Sequence, residues 1–258
     1  MPLVEDSPRE DIDAIQIPST TPDHDNEAHN EEHYDDNDVP VNRKTSFADS
    51  LLVDTIPPNL TLLLVGVNPG ILTGVTGYAY AHPSNLFWKL LHWSGITPIR
   101  HPPSDTYKLP ELYNIGNTNI VERPTRDASM LSKKEMDAGV PVLEEKVREK
   151  RPEVVCLVGK SIWEAVWRVK VGRGIRKEEF RYGWQDLEMN MGRVGGEGGW
   201  EGARVFVATT TSGLAAGMSL QEKREVWDEL GRWVCERRKV WEREGEKVKV
   251  GGDDTKLE

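Results

Sequence analysis

The residues best placed to do chemistry follow a short apolar run, in the stretch Gly66-Val67-Asn68-Pro69-Gly70. No carboxylate occurs between Gly66 and Arg100, so the polar side chain that leaves this run is an amide. An amide oxygen can orient a water molecule, but it is a poor general base. A reaction at this position must therefore proceed with little help from acids or bases.

Two further stretches follow predicted strands in the same way, Gly159-Lys160 and the segment 209–217. In an open α/β sheet, ligands bind beyond the carboxyl ends of the strands, so these stretches are expected to meet near Asn68. A nucleotide-binding protein would need a phosphate loop. The first strand is followed by neither GxGxxG nor GxxxxGK[ST], and the chain has no GxSxG elbow.

The elements that must position these residues are predicted from apolar runs and capping signals. Both SKKE, from Ser132 to Glu135, and SLQE, from Ser219 to Glu222, have capping-box spacing at the start of a helix. The predicted strands are Asn59–Val67, Glu153–Gly159 and Arg204–Thr209, and the predicted helices begin at Asn85 (capped by Ser84), Ser132, Ser161 and Ser219. This alternation predicts a three-layer α/β domain with a central, mostly parallel sheet flanked by helices.

Charge divides the chain of 258 residues into unequal parts. Residues 1–50 hold 14 acidic and 3 basic side chains. The rest of the chain holds 29 acidic and 30 basic side chains. We predict a disordered acidic tail over 1–50, a domain over 51–241 with a glycine-rich loop at about 190–203, and a charged flexible end over 242–258. The tail is a candidate docking segment for a protein partner.

Several motifs together resemble the mismatch-specific uracil and thymine DNA glycosylases. They are GVNPG, then TGYAYAHPSNLFWKLL, ERPTRDASMLSKKEMDAG, LVGKSIWEA and SGLAAGMSLQEK, in the family's order. The similarity covers about Leu60–Val234 without the glycine-rich loop. The resemblance implies a uracil-DNA glycosylase-like fold and an enzyme that removes a base from DNA and leaves an abasic site.

The resemblance also assigns residues around the base. Asn68 matches the catalytic position and is expected to hold a water molecule against C1′ of the sugar. Tyr80 matches the aromatic residue that stacks on the flipped base, and Thr73 matches a small residue of the pocket wall. The other expected base-binding residues are Val67 and Gly70, through their main chain, and His82 and Asn85 of the HPxN motif. For His82 we favour a role in bracing its loop.

A second group is expected to open the duplex. Gly213 and Leu214 match the wedge that fills the gap left by the extruded base, within a segment that also contains Ser212, Ala215 and Ala216. Lys160, Thr210 and Thr211 are candidate phosphate contacts, as are the amide groups of the helix that starts at Ser219. Ala216 replaces a usual Arg and Thr211 a usual Pro, which leaves the opposite-base preference open.

The predicted function is therefore monofunctional excision of uracil from G-mispaired duplex DNA, as the first step of base excision repair. Thymine and ethenocytosine stay open as further substrates. The alternative is a lesion-binding protein of the same fold with little turnover. A related glycosylase group that uses Asp in place of Asn68 is disfavoured. We expect a nuclear monomer that binds double-stranded DNA, with no membrane span, no cofactor and no metal.

Overall fold

The structure, a computed structural model, describes residues 50–213 and 217–251, apart from the side chains of 242 and 244–251. The predicted acidic tail and the wedge residues Leu214, Ala215 and Ala216 lie outside this range. No helix in the described part is long and apolar enough to cross a membrane.

The described chain is built around one five-stranded sheet. The strands are β1 (Leu62–Gly66), β2 (Ile115–Asn119), β3 (Val154–Val158), β4 (Gly183–Trp184) and β5 (Arg204–Ala208), in the order β2-β1-β3-β5-β4. All neighbours are parallel except β4, which is antiparallel to β5. The predicted mostly parallel sheet is confirmed.

Helices cover both faces of the sheet. They are α1 (Ile71–Thr76), α2 (Phe87–Trp93), α3 (Leu109–Tyr113), α4 (Lys133–Lys150), α5 (Lys160–Val171) and α6 (Leu220–Gly251), with short 3-10 turns at Pro103–Lys108, Ala128–Met130 and Leu187–Met189. Alternate residues of β1, β3 and β5 point to opposite sides, as strand geometry requires. One set packs with α4 and α5, and the other with α2 and α6, which gives the predicted three layers.

Both predicted capping boxes form. Ser132 Oγ accepts from the Glu135 N–H at 3.2 Å, and Glu135 accepts from the Ser132 N–H at 2.9 Å. The reciprocal contacts between Ser219 and Glu222 are 3.2 and 2.7 Å long. These pairs satisfy amide groups that a helix start otherwise leaves without partners, and they fix where α4 and α6 begin.

Other boundaries differ from the prediction. The helix expected at Asn85 begins at Phe87, with Leu86 as its N-cap and no side-chain cap from Ser84. Asn85 Oδ1 instead accepts from the Phe87 N–H at 3.0 Å. Two strands, β2 and β4, were not predicted. The helix α6 continues to Gly251, so the boundary placed at 241 falls inside it.

The glycine-rich stretch after β4 forms a hairpin. Met191 pairs with Ala203, and Val194 pairs with Trp200, both antiparallel. Gly192, Gly196, Gly198 and Gly202 have positive φ, a conformation that glycine adopts without strain. The hairpin lies before β5 and away from the sheet edge where β1 and β2 end.

Candidate active site

Asn68 lies two residues beyond β1 and its side chain is held by the neighbouring loop. Its Nδ2 donates to the carbonyl oxygen of Arg123 at 2.9 Å and to Thr125 Oγ1 at 2.7 Å. A main-chain carbonyl only accepts hydrogen bonds, so the amide nitrogen must face Arg123. Both amide protons are therefore used within the chain, and Oδ1 is left as an oriented acceptor.

The Thr125 hydroxyl holds the Asn68 amide in its orientation. Its hydroxyl donates to the carbonyl of Asp127 at 2.8 Å, so its lone pairs are left to accept from Asn68. Its N–H donates to the carbonyl of Pro69 at 3.0 Å, and its side chain is buried, with only 3% of the residue exposed. In the sequence, Thr125 stands out only as part of the ERPTRDASMLSKKEMDAG motif, which resembles the glycosylases. A threonine after a proline gives no signal of this role by itself.

Gly66, at the end of β1, lets two polar side chains approach the backbone closely beside the amide loop. A Cβ at this position would collide with Asn119 Oδ1 and lie 2.9 Å from the Tyr80 hydroxyl. Asn119 ends β2 in register with Gly66, and its side chain makes no hydrogen bond among the described residues. An unengaged amide can offer a donor and an acceptor to a ligand. Asn119 was missed because IGNTN does not resemble a strand.

The Tyr80 hydroxyl also approaches Gly66. One face of its ring stacks on Phe87 at 3.7 Å with an angle of 13°. Its backbone has φ of 52°, a left-handed conformation that is strained for an aromatic residue. The hydroxyl is enclosed without a hydrogen-bond partner. Burial, and to a smaller extent the nearby Cys156, raises the pKa of Tyr80 above its usual range.

The predicted pocket residues next to Asn68 differ in how far contacts within the chain leave them available to a ligand. The carbonyl of Val67 accepts from the Val121 N–H at 3.0 Å, so it is occupied. Thr73 is buried, and its hydroxyl oxygen accepts from the Ala81 N–H at 3.2 Å. Gly70 is exposed, and a Cβ at Gly70 would meet no atom within 4 Å. Of the three, Gly70 leaves the most room for a ligand.

The HPxN segment is braced internally. The His82 Nδ1 lies 2.7 Å from Ser84 Oγ and accepts from the Ser84 N–H at 3.2 Å. The Asn85 N–H donates to the carbonyl of His82 at 2.9 Å. These bonds agree with the bracing role favoured for His82. The carboxamide of Asn85 caps the first turn of α2, as described above.

The wedge side of the site begins directly after β5. The Leu86 N–H donates to the carbonyl of Thr211 at 2.9 Å. A Cβ at Gly213 would lie 2.6 Å from the carbonyl of Ser84, so only glycine fits this contact. Thr210 Oγ1 accepts from the Ser212 N–H at 3.4 Å. The two loops are thus joined, which brings the predicted wedge base beside the HPxN segment.

The candidate phosphate contacts separate into different environments. Thr211 is 2% exposed, so its side chain is not available to a phosphate. The ammonium of Lys160 lies 3.7 Å from Glu164 Oε1 and 4.5 Å from the ring centre of Phe180. Thr210 is half-buried and lies near Gly159. Lys160 already contacts Glu164 and Phe180, and these contacts reduce the availability of its ammonium to a DNA phosphate.

The acidic side chain nearest the amide loop is already engaged. The Asp127 carboxylate accepts from the Ser129 N–H at 2.7 Å, and this bond holds the pKa of Asp127 below its usual range. In the described ranges no group of three His, Cys, Asp or Glu side chains is arranged to hold a metal ion. The site can orient a water molecule and bind a planar base, but it presents no side-chain base to Asn68.

The sequence profile of the Uracil DNA glycosylase superfamily matches residues 53–231. The chain belongs to this superfamily. It is also 33% identical over 207 residues, 77% of its length, to the G/U mismatch-specific uracil DNA glycosylase of Schizosaccharomyces pombe. That match covers 59% of the relative, so the chain spans about three fifths of the length of the curated relative. The three-layer α/β sheet and the NPG loop after β1 are thus those of a superfamily member.

Proposed function

We propose that this chain is a monofunctional DNA glycosylase that hydrolyses the N-glycosidic bond of uracil in G-mispaired duplex DNA. The observation that carries the proposal is the fixed Asn68 carboxamide, with both amide protons bound and Oδ1 turned outward. Membership of the superfamily and the name of the fission-yeast relative support the same substrate. The product is an abasic site, the starting point of base excision repair.

The chemistry needs a positioned water molecule more than a strong base. Cleavage of the C1′–N1 bond leaves the electron pair on uracil, which departs as an anion, and a cationic sugar. Asn68 Oδ1 accepts a hydrogen bond from the water whose oxygen then bonds to C1′. The proton released from this water passes to solvent, because an amide does not take it up. Positioning without proton transfer predicts slow turnover.

The extruded base is proposed to lie beside Tyr80 and Asn119. The free ring face of Tyr80 stacks on the extruded uracil, and Asn119 hydrogen-bonds to its polar edge. Main-chain N–H groups near Gly70 face the oxygen on which negative charge develops, where fixed dipoles stabilise it without reorganising. Thr73 contributes its methyl group to the wall. Thymine and ethenocytosine are further candidate substrates of the same pocket.

Extrusion selects mispaired bases. A G·U or G·T pair costs less to open than a matched pair, so the energy of opening itself favours mismatches. Leu214 is proposed to fill the gap, with Ser212 and Gly213 supporting it and Ala215 and Ala216 following. Since Ala216 replaces the usual Arg, we propose a weaker hold on the opposite guanine. The partner is double-stranded DNA, bound by a nuclear monomer.

A single-turnover cleavage assay tests the proposal. Wild-type protein and Asn68→Ala are incubated in excess with duplexes that contain G·U, A·U, G·T or G·ethenocytosine, and alkali then breaks the abasic sites. We expect wild type to cleave G·U first and Asn68→Ala to lose this activity. The variant should still bind G·U DNA in a mobility-shift assay, which controls for folding. Wild-type cleavage rates in Asn68→Ala would contradict the assignment.

A second candidate function is binding of mismatched DNA without turnover. It is favoured by Ala216 and by a site whose only polar side chain at the water position is an amide. This alternative predicts tight retention of G·U DNA by the wild-type protein with no cleavage of any of the four duplexes. The same assay therefore separates the two functions.

A further inference from the structure

Lys223 is an almost fully buried cation without a counter-ion. It lies in the first turn of α6, and 5% of the residue is exposed. Its N–H donates to the carbonyl of Ser219 at 3.1 Å, but its ammonium takes part in no hydrogen bond or ion pair with the residues that the structure describes. The nitrogen is also not among the described polar atoms that are fully enclosed without a partner, so the small exposed part includes it.

The register of α6 shows where this ammonium points. Residues four apart lie on the same helix face, and Trp227 on that face is fully buried. The Trp227 Nε1 donates to Thr209 Oγ1 at 3.1 Å, which places this face against the end of β5. Helical side chains lean toward the N-terminus of their helix. Lys223 therefore lies one turn before Trp227 on the face that packs against the end of β5, and its side chain leans toward the N-terminus of α6.

The local charge makes this position unfavourable without a ligand. The N-terminus of a helix carries a partial positive charge, so a lysine in the first turn is repelled by it. Burial adds a desolvation cost that a paired lysine would offset. Glu222 is turned back to cap Ser219, and Glu225 accepts from Gln221 at 3.2 Å. No acidic residue occurs in 209–213 or 82–88.

We propose that Lys223 and the N-terminal amide groups of α6 form an anion site. Its ligand is one phosphodiester group of the DNA strand next to the extruded nucleotide. The assignment of the ligand rests on the proposed function, because the wedge base at 210–213 lies against DNA in that function. A helix N-terminus and an ammonium directed at the same point are a well-suited pair for a phosphate.

The anion site at Lys223 also differs from Lys160, the phosphate contact that the sequence predicted. Lys160 is already engaged by Glu164 and Phe180, whereas the ammonium of Lys223 has no partner in the described part of the chain. A cation with no partner gives up less on binding a phosphate, since no ion pair has to be broken. Lys223 is therefore expected to contribute more to DNA affinity than Lys160.

The test compares Lys223→Met, which keeps most of the buried stem, with Lys223→Arg, which keeps the charge. Lys239→Met on the exposed side of the same helix is the matched control. Each protein is titrated with a G·U duplex made resistant to cleavage, by fluorescence anisotropy over a series of salt concentrations. Loss of one phosphate contact should weaken binding about tenfold at 0.1 M salt and reduce the slope of log Kd against log salt by about 1.

Lys223→Arg and Lys239→Met should bind as wild type does. Lys223→Met should melt at the same temperature as wild type or higher, because the apolar stem stays buried and no ion pair is lost. An unchanged Kd and salt slope in a folded Lys223→Met protein would overturn the anion site. Millimolar inorganic phosphate that stabilises wild type as much as DNA does would overturn the assignment to a DNA phosphate.

The outcome is distinguishable from failure of the proposed function. If wild type cleaves G·U but Lys223→Met shows the wild-type salt slope, the glycosylase stands and the anion site does not. If no duplex is cleaved but the slope still falls in Lys223→Met, the anion site stands on a DNA-binding protein. The binding assay does not depend on turnover, so each result has one meaning.

Discussion

Asn68 depends for its orientation on Thr125, a residue 57 positions further along the chain. The threonine hydroxyl accepts from the amide and donates to Asp127, so neither group can turn without breaking a bond. A side chain that acts by position is sensitive to such support. The Asn68 amide and the Thr125 hydroxyl therefore form one hydrogen-bonded unit.

We predict that Thr125→Val slows excision by about tenfold to a hundredfold, because the valine has the same shape but cannot accept from Asn68. Thr125→Ser, which keeps the hydroxyl, should restore most of the rate. Single-turnover rates on the G·U duplex measure this effect, and affinity for uncleaved DNA should change little. A valine variant as fast as the serine variant would show that Asn68 holds its orientation without Thr125.

Gly70 offers a second test at the residue scale. Its φ of −71° suits any residue, and a Cβ there meets no atom of the chain. We predict that Gly70→Ala leaves the melting temperature unchanged but reduces excision, because the methyl group occupies the space proposed for the base edge. Thermal unfolding and single-turnover cleavage, measured on the same preparation, check both parts. Cleavage at the wild-type rate would place the base elsewhere.

Single residues were predictable from sequence where a motif carried them. Asn68, Tyr80 and His82 lie in the two motifs nearest the first strand, and the motifs alone assigned them to the candidate site. Asn119 and Thr125 were not predicted, because their positions depend on the pairing of β2 with β1. That register aligns Gly66 with Asn119, and it cannot be read from the spacing of either segment.

At the scale of elements, the start of α4 supports the same loop. Arg123, whose carbonyl binds Asn68, donates to Glu135 Oε1 through its guanidinium at 2.8 Å. Glu135 also completes the capping box with Ser132. The Ser132 N–H first, and Arg123 second, lower the pKa of Glu135 from 4.5 to about 2. The helix start and the amide loop are thus linked through one carboxylate.

We predict that Glu135→Gln is less stable than wild type at neutral pH and that the difference disappears in acid. A carboxylate with a lowered pKa stabilises the folded state above the unfolded pKa, and this contribution is lost as pH falls through the folded value. The difference in melting temperature should therefore stay constant above about pH 5 and close between 4.5 and about 2. A difference that persists at pH 2 would exclude ionisation of Glu135 as its cause.

Elements with local signals were predicted and those without were not. The two capping boxes fixed the starts of α4 and α6, and apolar runs indicated β1, β3 and β5. The polar sequence of β2 hides a buried strand. The Asn117 main-chain N–H donates to Thr55 Oγ1, and the Thr118 hydroxyl donates to the Asp54 carboxylate. Ser84 was expected to cap a helix, but it packs against Gly213 instead, a contact between distant segments.

At the scale of the whole molecule, negative charge is concentrated in the first 50 residues of the sequence. The described chain begins at Ser50, and the Leu51 N–H bonds to the carbonyl of Gly74 in α1 at 2.8 Å. The strongly acidic residues 1–50 are therefore attached close to the candidate site. The rest of the chain is nearly neutral, with 29 acidic and 30 basic side chains after the tail is subtracted from the total of 43 and 33.

We predict that deleting residues 1–48 leaves cleavage of G·U DNA intact or increases it, because a negative segment is removed from the neighbourhood of a polyanion. Any increase should be largest at low salt and fade as salt screens the repulsion. Cleavage rates of the full and shortened proteins, measured across salt concentrations, test this. A large loss of activity in the shortened protein would show that the tail contributes to catalysis.

The bond between Leu86 and Thr211 also has a consequence for how the protein is made. The segment from Tyr80 to Leu86 leaves the ribosome long before β5 and the segment that follows β5. Until that later segment arrives, the carbonyl that holds Leu86 is missing and Ser84 has no Gly213 to pack against. In a growing chain the amide loop of Asn68 is therefore complete before the later segment that holds Leu86 and packs against Ser84.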